Sequence, residues 1–345
     1  MQKFSDEDRE AICRLRLDGV SPKEIYPLFP HIPPPTQRKF YSLYKLKRAG
    51  PSPPKIIGTP VGESELDEEA VWQRAVALSA RRLAKAKRER DQRAITFAHG
   101  PICLAHMADL HLGGSGVDYA RLDADIDIIL RTPGMYVNLV GDVLDNFIIG
   151  RLKDLRMGTE FTVSEEWVLV KRVLRRLAPK LLISVAGNHD LWTFALSGVD
   201  YLREIHSQIN PNILYAKYEN RIRINVGDAT YTLQSRHSWR GYSQWNATHG
   251  IEKAAKFDGG KPFDIGVGAH THASGLCREF NNGGATGIAI LCGSYKRKDN
   301  YADQVGFPGP NKSATVCTIF GEGGDVWGTG NLMTAARYMN VMYGE

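Results

Sequence analysis

The sequence predicts an α/β protein, a sheet domain with covering helices, preceded by a small all-helical module. From residue 97 onward, apolar strand-like runs alternate with amphipathic helical stretches. Ahead of them, residues 5–48 carry the start and stop signals of three short helices. The length of 345 residues accommodates one large domain and one small one.

The elements follow in chain order. Ser5 is placed to cap DEDREAICRLRLD, whose acidic first turn suits the helix dipole. Gly19 ends that helix, and Ser21-Pro22-Lys23-Glu24 has the form of a capping box with proline at the first helical position. A turn from Pro30 to Pro35 leads to TQRKFYSLYKLKRAG, where Arg38, Lys39, Lys45, Lys47 and Arg48 occur with no acid among them. Phe40, Leu43, Tyr44 and Leu46 are its expected buried side. Residues 51–65 read as a Pro/Gly-rich linker, and 66–96 as a charged connecting helix, acidic first and basic later. In the domain 97–345, ICLAHMADLH, MYVNLVGDVLD and LLISVAGNHD each pass from strand to polar loop. Between them lie the helices YARLDADIDIILRTP and SEEWVLVKRVLRRLAPK, the second with Ser164 as its expected N-cap. Further strands are expected in RIRINVG, ATYTLQSRH, FDIGVGAHTH, GIAILCGSY and ATVCTIFG.

Composition narrows the class. Hydrophobic content of 43% and charged content of 24% fit a globular protein. No apolar run approaches the ~20 residues of a membrane span. The polar N-terminus lacks the apolar segment of a signal peptide, so a cytoplasmic protein is the expectation. Five separated cysteines without a CxxC pair read as thiols in a reducing compartment. The net charge is +6, and all of it falls in residues 1–97, which hold 19 Lys and Arg against 13 Asp and Glu. Such asymmetry points to a polyanion as the partner of the N-terminal part.

Five polar motifs close apolar runs: Asp109-Leu110-His111, Gly141-Asp142, Gly187-Asn188-His189-Asp190, His237, and His270-Thr271-His272. Open α/β sheets build their sites at such strand ends. Each motif alone has an ordinary reading as a capped loop or turn, and His206 and His249 compete with His237. In this order, however, the set closely resembles the calcineurin-like metallophosphoesterase superfamily over about residues 103–275. One departure is Ala269, which stands between Gly268 and His270.

The resemblance implies a β-sandwich flanked by helices in four α/β/β/α layers. It also implies two divalent metal ions about 3.5–4 Å apart, with metal-bound hydroxide attacking a phosphate ester. One metal would take Asp109, His111, Asp142 and His272, and the other Asp142, Asn188, His237 and His270, with Asp142 bridging. His189 would protonate the leaving oxygen and Asp190 would orient His189. Carboxylate and neutral imidazole suit Mn, with Fe, Zn or Mg as alternatives, better than Ca.

The flanks bear on substrate. His106-Met107-Ala108-Asp109-Leu110-His111-Leu112-Gly113 is similar to the first motif of double-strand-break repair nucleases. Asn146 stands where Ser/Thr protein phosphatases carry arginine. The N-terminal helices resemble a helix-turn-helix, a combination similar to small phage and prophage proteins. A DNA-processing phosphodiesterase or nuclease is therefore the expectation, with Arg38, Lys39, Lys45, Lys47 and Arg48 on DNA. Arg240 and Lys296 are candidate substrate contacts at the rim, whereas Trp245 is expected to pack and Lys298 to be solvated. Two other readings stay open: a small-molecule or nucleotide phosphoesterase whose N-terminal helices form a homo-oligomer, and a DNA-binding module with a vestigial hydrolase.

Overall fold

A computed structural model of the chain describes residues 4–49, 67–148, 160–241, 243, 245–257, 263–272, 276–282, 285–297 and 313–344. The linker expected at 51–65 and the Lys298 position lie outside these. The chain divides into two compact units, Met1–Arg74 and Ala75–Glu345, the division falling within a long helix.

In the first unit, α1 (Asp6–Leu17) starts where the Ser5 hydroxyl accepts from the Asp8 amide at 3.0 Å. Gly19, at φ +86°, turns the chain after it. The Glu24 carboxylate accepts from the Ser21 amide at 2.9 Å and opens α2 (Pro22–Ile25), which one 3-10 turn extends over Tyr26–Leu28. α3 (Pro34–Ala49) follows. Ile12, Ile25 and Ile32 form the small core, with Phe4, Phe29 and Phe40 against it. Gln37 is also buried, its amide donating to the carbonyls of Ile32 and Phe29 at 2.8 and 3.1 Å. Leu43, expected inside, is 51% exposed. The covered face of α3 runs through Gln37, Phe40, Tyr41 and Tyr44, and Leu43 lies off it. α4 (Glu68–Gln92) is a single helix of 25 residues.

The second unit holds two six-stranded sheets. One has β2 (Ile102–Met107), β3 (Met135–Val140), β4 (Leu181–Val185) and β5 (Leu214–Ala216) in parallel, with β11 (Val316–Phe320) and β12 (Val326–Thr329) antiparallel beyond β2. The other runs in the order β1 (Ala94–Phe97), β6 (Asn220–Val226), β7 (Ala229–Ser235), β8 (Ile265–Gly268), β10 (Ala285–Leu291) and β9 (Leu276–Asn282).

Strand periodicity explains the layering. Along β2, Ile102 and Leu104 enter the core between the sheets, where they meet Val140, Ile183, Ile224, Leu233, Val267 and Ile290. The alternate residues Cys103, Ala105 and Met107 face outward. There they meet Ile126 of α5 (Tyr119–Arg131), Leu174 of α6 (Val163–Leu177), Ile205 of α8 (Tyr201–Ile209) and Met339 of α10 (Leu332–Tyr343). Both faces are covered, which is why these strands read as unbroken apolar runs. α9 (His249–Phe257) covers the outer face of the other sheet through Ile251, beside Trp239 and Phe263. The chain is thus a four-layer α/β/β/α sandwich.

Some local expectations change. α6 is capped by Thr162, which forms the capping box with Glu165, and Ser164 lies inside the helix. The short helix α7 (Asn188–Ser197) begins on a polar motif. All five cysteines are free thiols. No helix among the described residues is long and apolar enough to cross a membrane. Ile183 is fully buried between the sheets, so Ile183→Ala should cost about 2–5 kcal/mol in urea unfolding of the sandwich.

Candidate metal centre

The five motifs follow β2, β3, β4, β7 and β8 directly, so both sheets deliver them at the C-terminal ends of strands. Backbone hydrogen bonds fasten the loops to one another: the Asp109 amide to the Gly141 carbonyl and the His111 amide to the Asp142 carbonyl, both at 3.0 Å. Asp109, His111, Asp142, His270 and His272 all have left-handed backbones, with φ between +46° and +77°. Such conformations cost roughly 1–3 kcal/mol each in non-glycine residues and persist only where surrounding bonds hold them. Gly187 allows the closest approach, since a Cβ there would lie 2.0 Å from Asp142 Oδ1.

The side chains form two groups, Asp109 with His111 and His272, and Asp142 with His237 and His270. Within each, the candidate ligand atoms lie within 4.8 Å of one another. In the first, the Nε2 atoms of His111 and His272 approach to 2.8 Å, and His272 Nε2 is 3.4 Å from Asp109 Oδ1. In the second, His237 Nε2 is 3.1 Å from Asp142 Oδ2 and 3.3 Å from His270 Nδ1. Asn188, between Gly187 and His189, is the first residue of α7, and the His189 amide donates to Asp142 Oδ1 at 2.9 Å.

These donors fit divalent cations. Asp109 Oδ1 and Asn188 Oδ1 are buried oxygens without a hydrogen-bond partner, an unfavourable state that a cation relieves. The ring nitrogens are pre-aimed as well. His237 donates through Nδ1 to the Val140 carbonyl at 2.8 Å, and His111 Nδ1 bonds Asp145 Oδ1 at 2.9 Å. Each therefore presents Nε2 to the site, the usual arrangement for a metal-binding histidine.

Electrostatics tie the groups together. Burial alone would raise the pKa values of both carboxyls. His272 and His111 beside Asp109, and His237 and His189 beside Asp142, outweigh it and hold both well below the ordinary range. Burial likewise pulls the imidazoles down, but Asp109 and Asp145 raise His111 to about 9, and Asp142 raises His237 to about 10. For His189, burial outweighs the nearby Asp142 and lowers it to about 4.

His189 lies against His111, Phe147 and Trp192, with ring centroids 4.7, 5.0 and 4.0 Å away. Its Nδ1 donates to the Asp145 carbonyl, which leaves Nε2 3.8 Å from Asp142 Oδ2. Asp190, expected to orient His189, does not bond its ring. Its carboxylate instead accepts from the amides of Gly187 and Val143 at 2.8 and 3.0 Å, tying the third motif to the second. Geometry is the reason: the first turn of α7 points Asp190 back at its own N-terminus.

Lys296 also differs from the expectation of a rim cation. It is buried, donates to Asp145 Oδ1 at 2.9 Å and lies over the Phe147 ring. A carboxylate this enclosed needs a counter-charge, and Lys296 provides it. Arg240 is exposed three residues beyond His237. Trp245, expected to pack, is 94% exposed, whereas Trp239 is the packed one, bonding the Val267 carbonyl at 2.8 Å. Asp145 and Asn146 are site residues that none of the five motifs includes. Asn146 donates to the His189 carbonyl at 2.6 Å and to Thr193 Oγ1 at 3.0 Å. Their signal was position, directly after the Gly141-Asp142 motif. In the N-terminal unit, Arg38, Lys39 and Lys45 are exposed, with Arg38 donating to the Tyr26 hydroxyl. The side chains of Lys47 and Arg48 lie outside the described residues.

No protein-family model and no curated protein sequence matches the chain. Among solved structures, vacuolar protein sorting 29 from Cryptosporidium parvum is 14% identical, covering 66% of this chain and 96% of its own, at a TM-score of 0.33. Vps29 from Chaetomium thermophilum is 11% identical, covering 66% and 93%, at a TM-score of 0.32.

The raised imidazoles set a pH dependence. At neutral pH without metal, His111 and His237 hold protons that a cation must displace, so loading releases protons. Affinity should therefore rise with pH towards about 9–10 and fall in acid. Titration with Mn in weakly buffered indicator, alongside calorimetry at several pH values, would check both signs.

Proposed function

We propose that the protein is a two-metal phosphoesterase that acts on DNA. The observation that carries the hydrolase part is the convergence of the two carboxylate-histidine groups, one around Asp109 and one around Asp142, from the strand ends of both sheets. Asp109, His111, Asp142 and His272 would hold one ion, and Asp142, Asn188, His237 and His270 the other, with Asp142 shared. When bound, such ions polarise phosphoryl oxygens and bring the pKa of a bound water from about 15.7 towards 7. Mn, Fe, Zn and Mg all suit the donors.

The chain's own residues supply positioning and proton transfer. Because the Asp145 carbonyl can only accept, Nδ1 of His189 keeps its proton and Nε2 faces the site as the atom that exchanges one. Nε2 would take up a proton from solvent water as negative charge builds on the phosphoryl group and pass it to the leaving oxygen, which departs as the alcohol. Phe147 and Trp192 keep water from the ring, and Lys296 with Asp145 holds His111 in place. Arg240 is placed to meet substrate beyond His237. Support for DNA comes from the exposed Arg38, Lys39 and Lys45 on α3 and from the net positive charge of residues 1–97.

Three measurements test this reading. Asp142→Asn should lower Mn-dependent hydrolysis of DNA and of a small diester by more than about 100-fold, since even outer-shell partners of a metal are worth about 10–100-fold. Wild-type rates in that variant would refute the assignment. His189→Ala should keep its metal affinity and lose about 10²–10⁴ in kcat on an alkyl ester. The loss should be smaller on a nitrophenyl ester, whose leaving group needs no proton. Lys39→Glu with Lys45→Glu should weaken DNA binding and flatten its salt dependence by about 0.9 per lost phosphate contact. Rates on the small diester should stay the same, and unchanged DNA affinity would point to the nucleotide-sized substrates instead.

A further inference from the structure

Helix α4 carries an apolar face that nothing among the described residues covers. Every residue from Asp67 to Lys85 is exposed, including Trp72 at 64% and Leu83 at 69%. A helix of this length is ~37 Å long at 1.5 Å per residue, and an isolated helix in water gains little without packing. Large exposed apolar side chains grouped on one face mark an interaction surface.

The spacing says what kind of surface it is. Trp72, Val76, Ser79 and Leu83 follow one another at intervals of four, three and four, the 3.5-residue repeat of a coiled-coil seam. Val71, Ala75 and Leu78 repeat the interval beside it and widen the stripe. From Trp72 to Leu83 the seam holds no charged residue, and its one polar member is a small serine; one step earlier the same repeat reaches Glu69.

Charge then selects the partner and its direction. The helix opens with Asp67, Glu68 and Glu69 and carries Arg81, Arg82, Lys85 and Lys87 further on. Two copies laid parallel would put acid beside acid and base beside base. Laid antiparallel, each acidic end meets the other copy's basic end. The register is set by the seam. Opposing Trp72 with Leu83 and Val76 with Ser79 brings Glu69 level with Lys87 to within one residue. In the 3.5-residue repeat Glu69 takes the seam position before Trp72, and Lys87 lies one residue past the seam position that follows Leu83. An antiparallel pair therefore ends, on each side, with one copy's Glu69 carboxylate beside the other copy's Lys87 ammonium.

We propose that α4 is the seam of an antiparallel two-helix coiled coil between two copies of this chain. The seam pairs Trp72 with Leu83 and Val76 with Ser79, and at each end Glu69 of one copy meets Lys87 of the other.

The test uses the full chain in light scattering and sedimentation over a concentration series. The wild type should reach a mass about twice the 38.4 kDa of one chain. Val76→Glu and Leu83→Glu, both at exposed positions where glutamate is a good helix former, should leave only monomer with the same helical circular dichroism. Glu69→Lys alone and Lys87→Glu alone should each shift the equilibrium towards monomer. The double variant should restore the dimer, and so should mixing the two single variants. A wild type that is monomeric throughout, including one whose α4 basic residues instead bind DNA, overturns the proposal. So does a dimer that survives Val76→Glu and Leu83→Glu. Failure of the charge swap to restore association overturns the antiparallel register, because a parallel pair never brings Glu69 to Lys87.

Discussion

Two buried anions govern the architecture of the larger unit. Asp109 and Asp142 lie at the strand ends of one sheet with almost no access to water. Removing a carboxylate from water costs several kcal/mol unless donors or cations replace the solvent. Those replacements come largely from the opposite sheet. The His270 amide reaches Asp109 at 3.0 Å, His272 approaches the same carboxylate, and His237 reaches Asp142. Satisfying the anions therefore fixes how the two sheets meet. Below them, Asn138 donates to Ser235 across the layers at 2.7 Å, and His106 bonds Thr318 at 2.9 Å. Burial keeps His106 neutral, its pKa lowered to about 3, so this deeper network aligns strands without adding charge.

The same demand explains the strained loops. A ligand set drawn from five loops must aim its oxygens and nitrogens at common points, and a relaxed strand end would turn several of them away. Left-handed backbone at Asp109, His111, Asp142, His270 and His272 is the result, and Asn146 shares it at +49°. The paired strands β2, β3 and β4 beneath supply the rigidity. Asp145 then acts as a hub: its carboxylate serves His111 and Lys296 while its carbonyl serves His189. One residue thereby couples the candidate ligand His111 to the His189 imidazole.

The layered fold and the gathering of the five motifs at strand ends are legible because they rest on local patterns. β2 and β3 announce themselves by continuous apolar residues, and each motif sits where such a run ends. What stayed hidden depends on tertiary context. Strand β9 reads Leu-Cys-Arg-Glu-Phe-Asn-Asn and owes its conformation to pairing with β10. Edge strands β1 and β12, of four residues each, have too few side chains to show a period. The sequence shows Lys296 as one of a basic run, and only the fold brings it within 2.9 Å of Asp145, 151 residues away. Asp190 was assigned by analogy with carboxylates that orient imidazoles, yet its place in the first turn of α7 gives it amides to bind instead. Trp239 and Trp245 are near neighbours in one loop and indistinguishable by composition, but only Trp239 has the Val267 carbonyl and Phe263 within reach.

Charge links the site to the rest of the chain. The enclosed carboxylates Asp109, Asp142 and Asp145 are offset at neutral pH by Lys296 and by the protonated His111 and His237, so the site has no net charge of its own to draw a phosphate. Bound cations would supply that attraction, and in such a site the ions are the largest charges present. Their field is short-ranged, because at physiological ionic strength interactions fade over about 8 Å. Residues 98–345 add no net charge of their own, with 25 basic and 25 acidic side chains. A polyanionic substrate would therefore be gathered by the part that holds the excess, residues 1–97. On the proposed reading the two tasks are separate in sequence: basic helices concentrate the polymer, and the metal centre acts on one ester within it. Pairing two chains through α4 would then double the gathering surface for each polymer engaged, so that a second contact forms at the high effective concentration of a tethered site rather than from free solution.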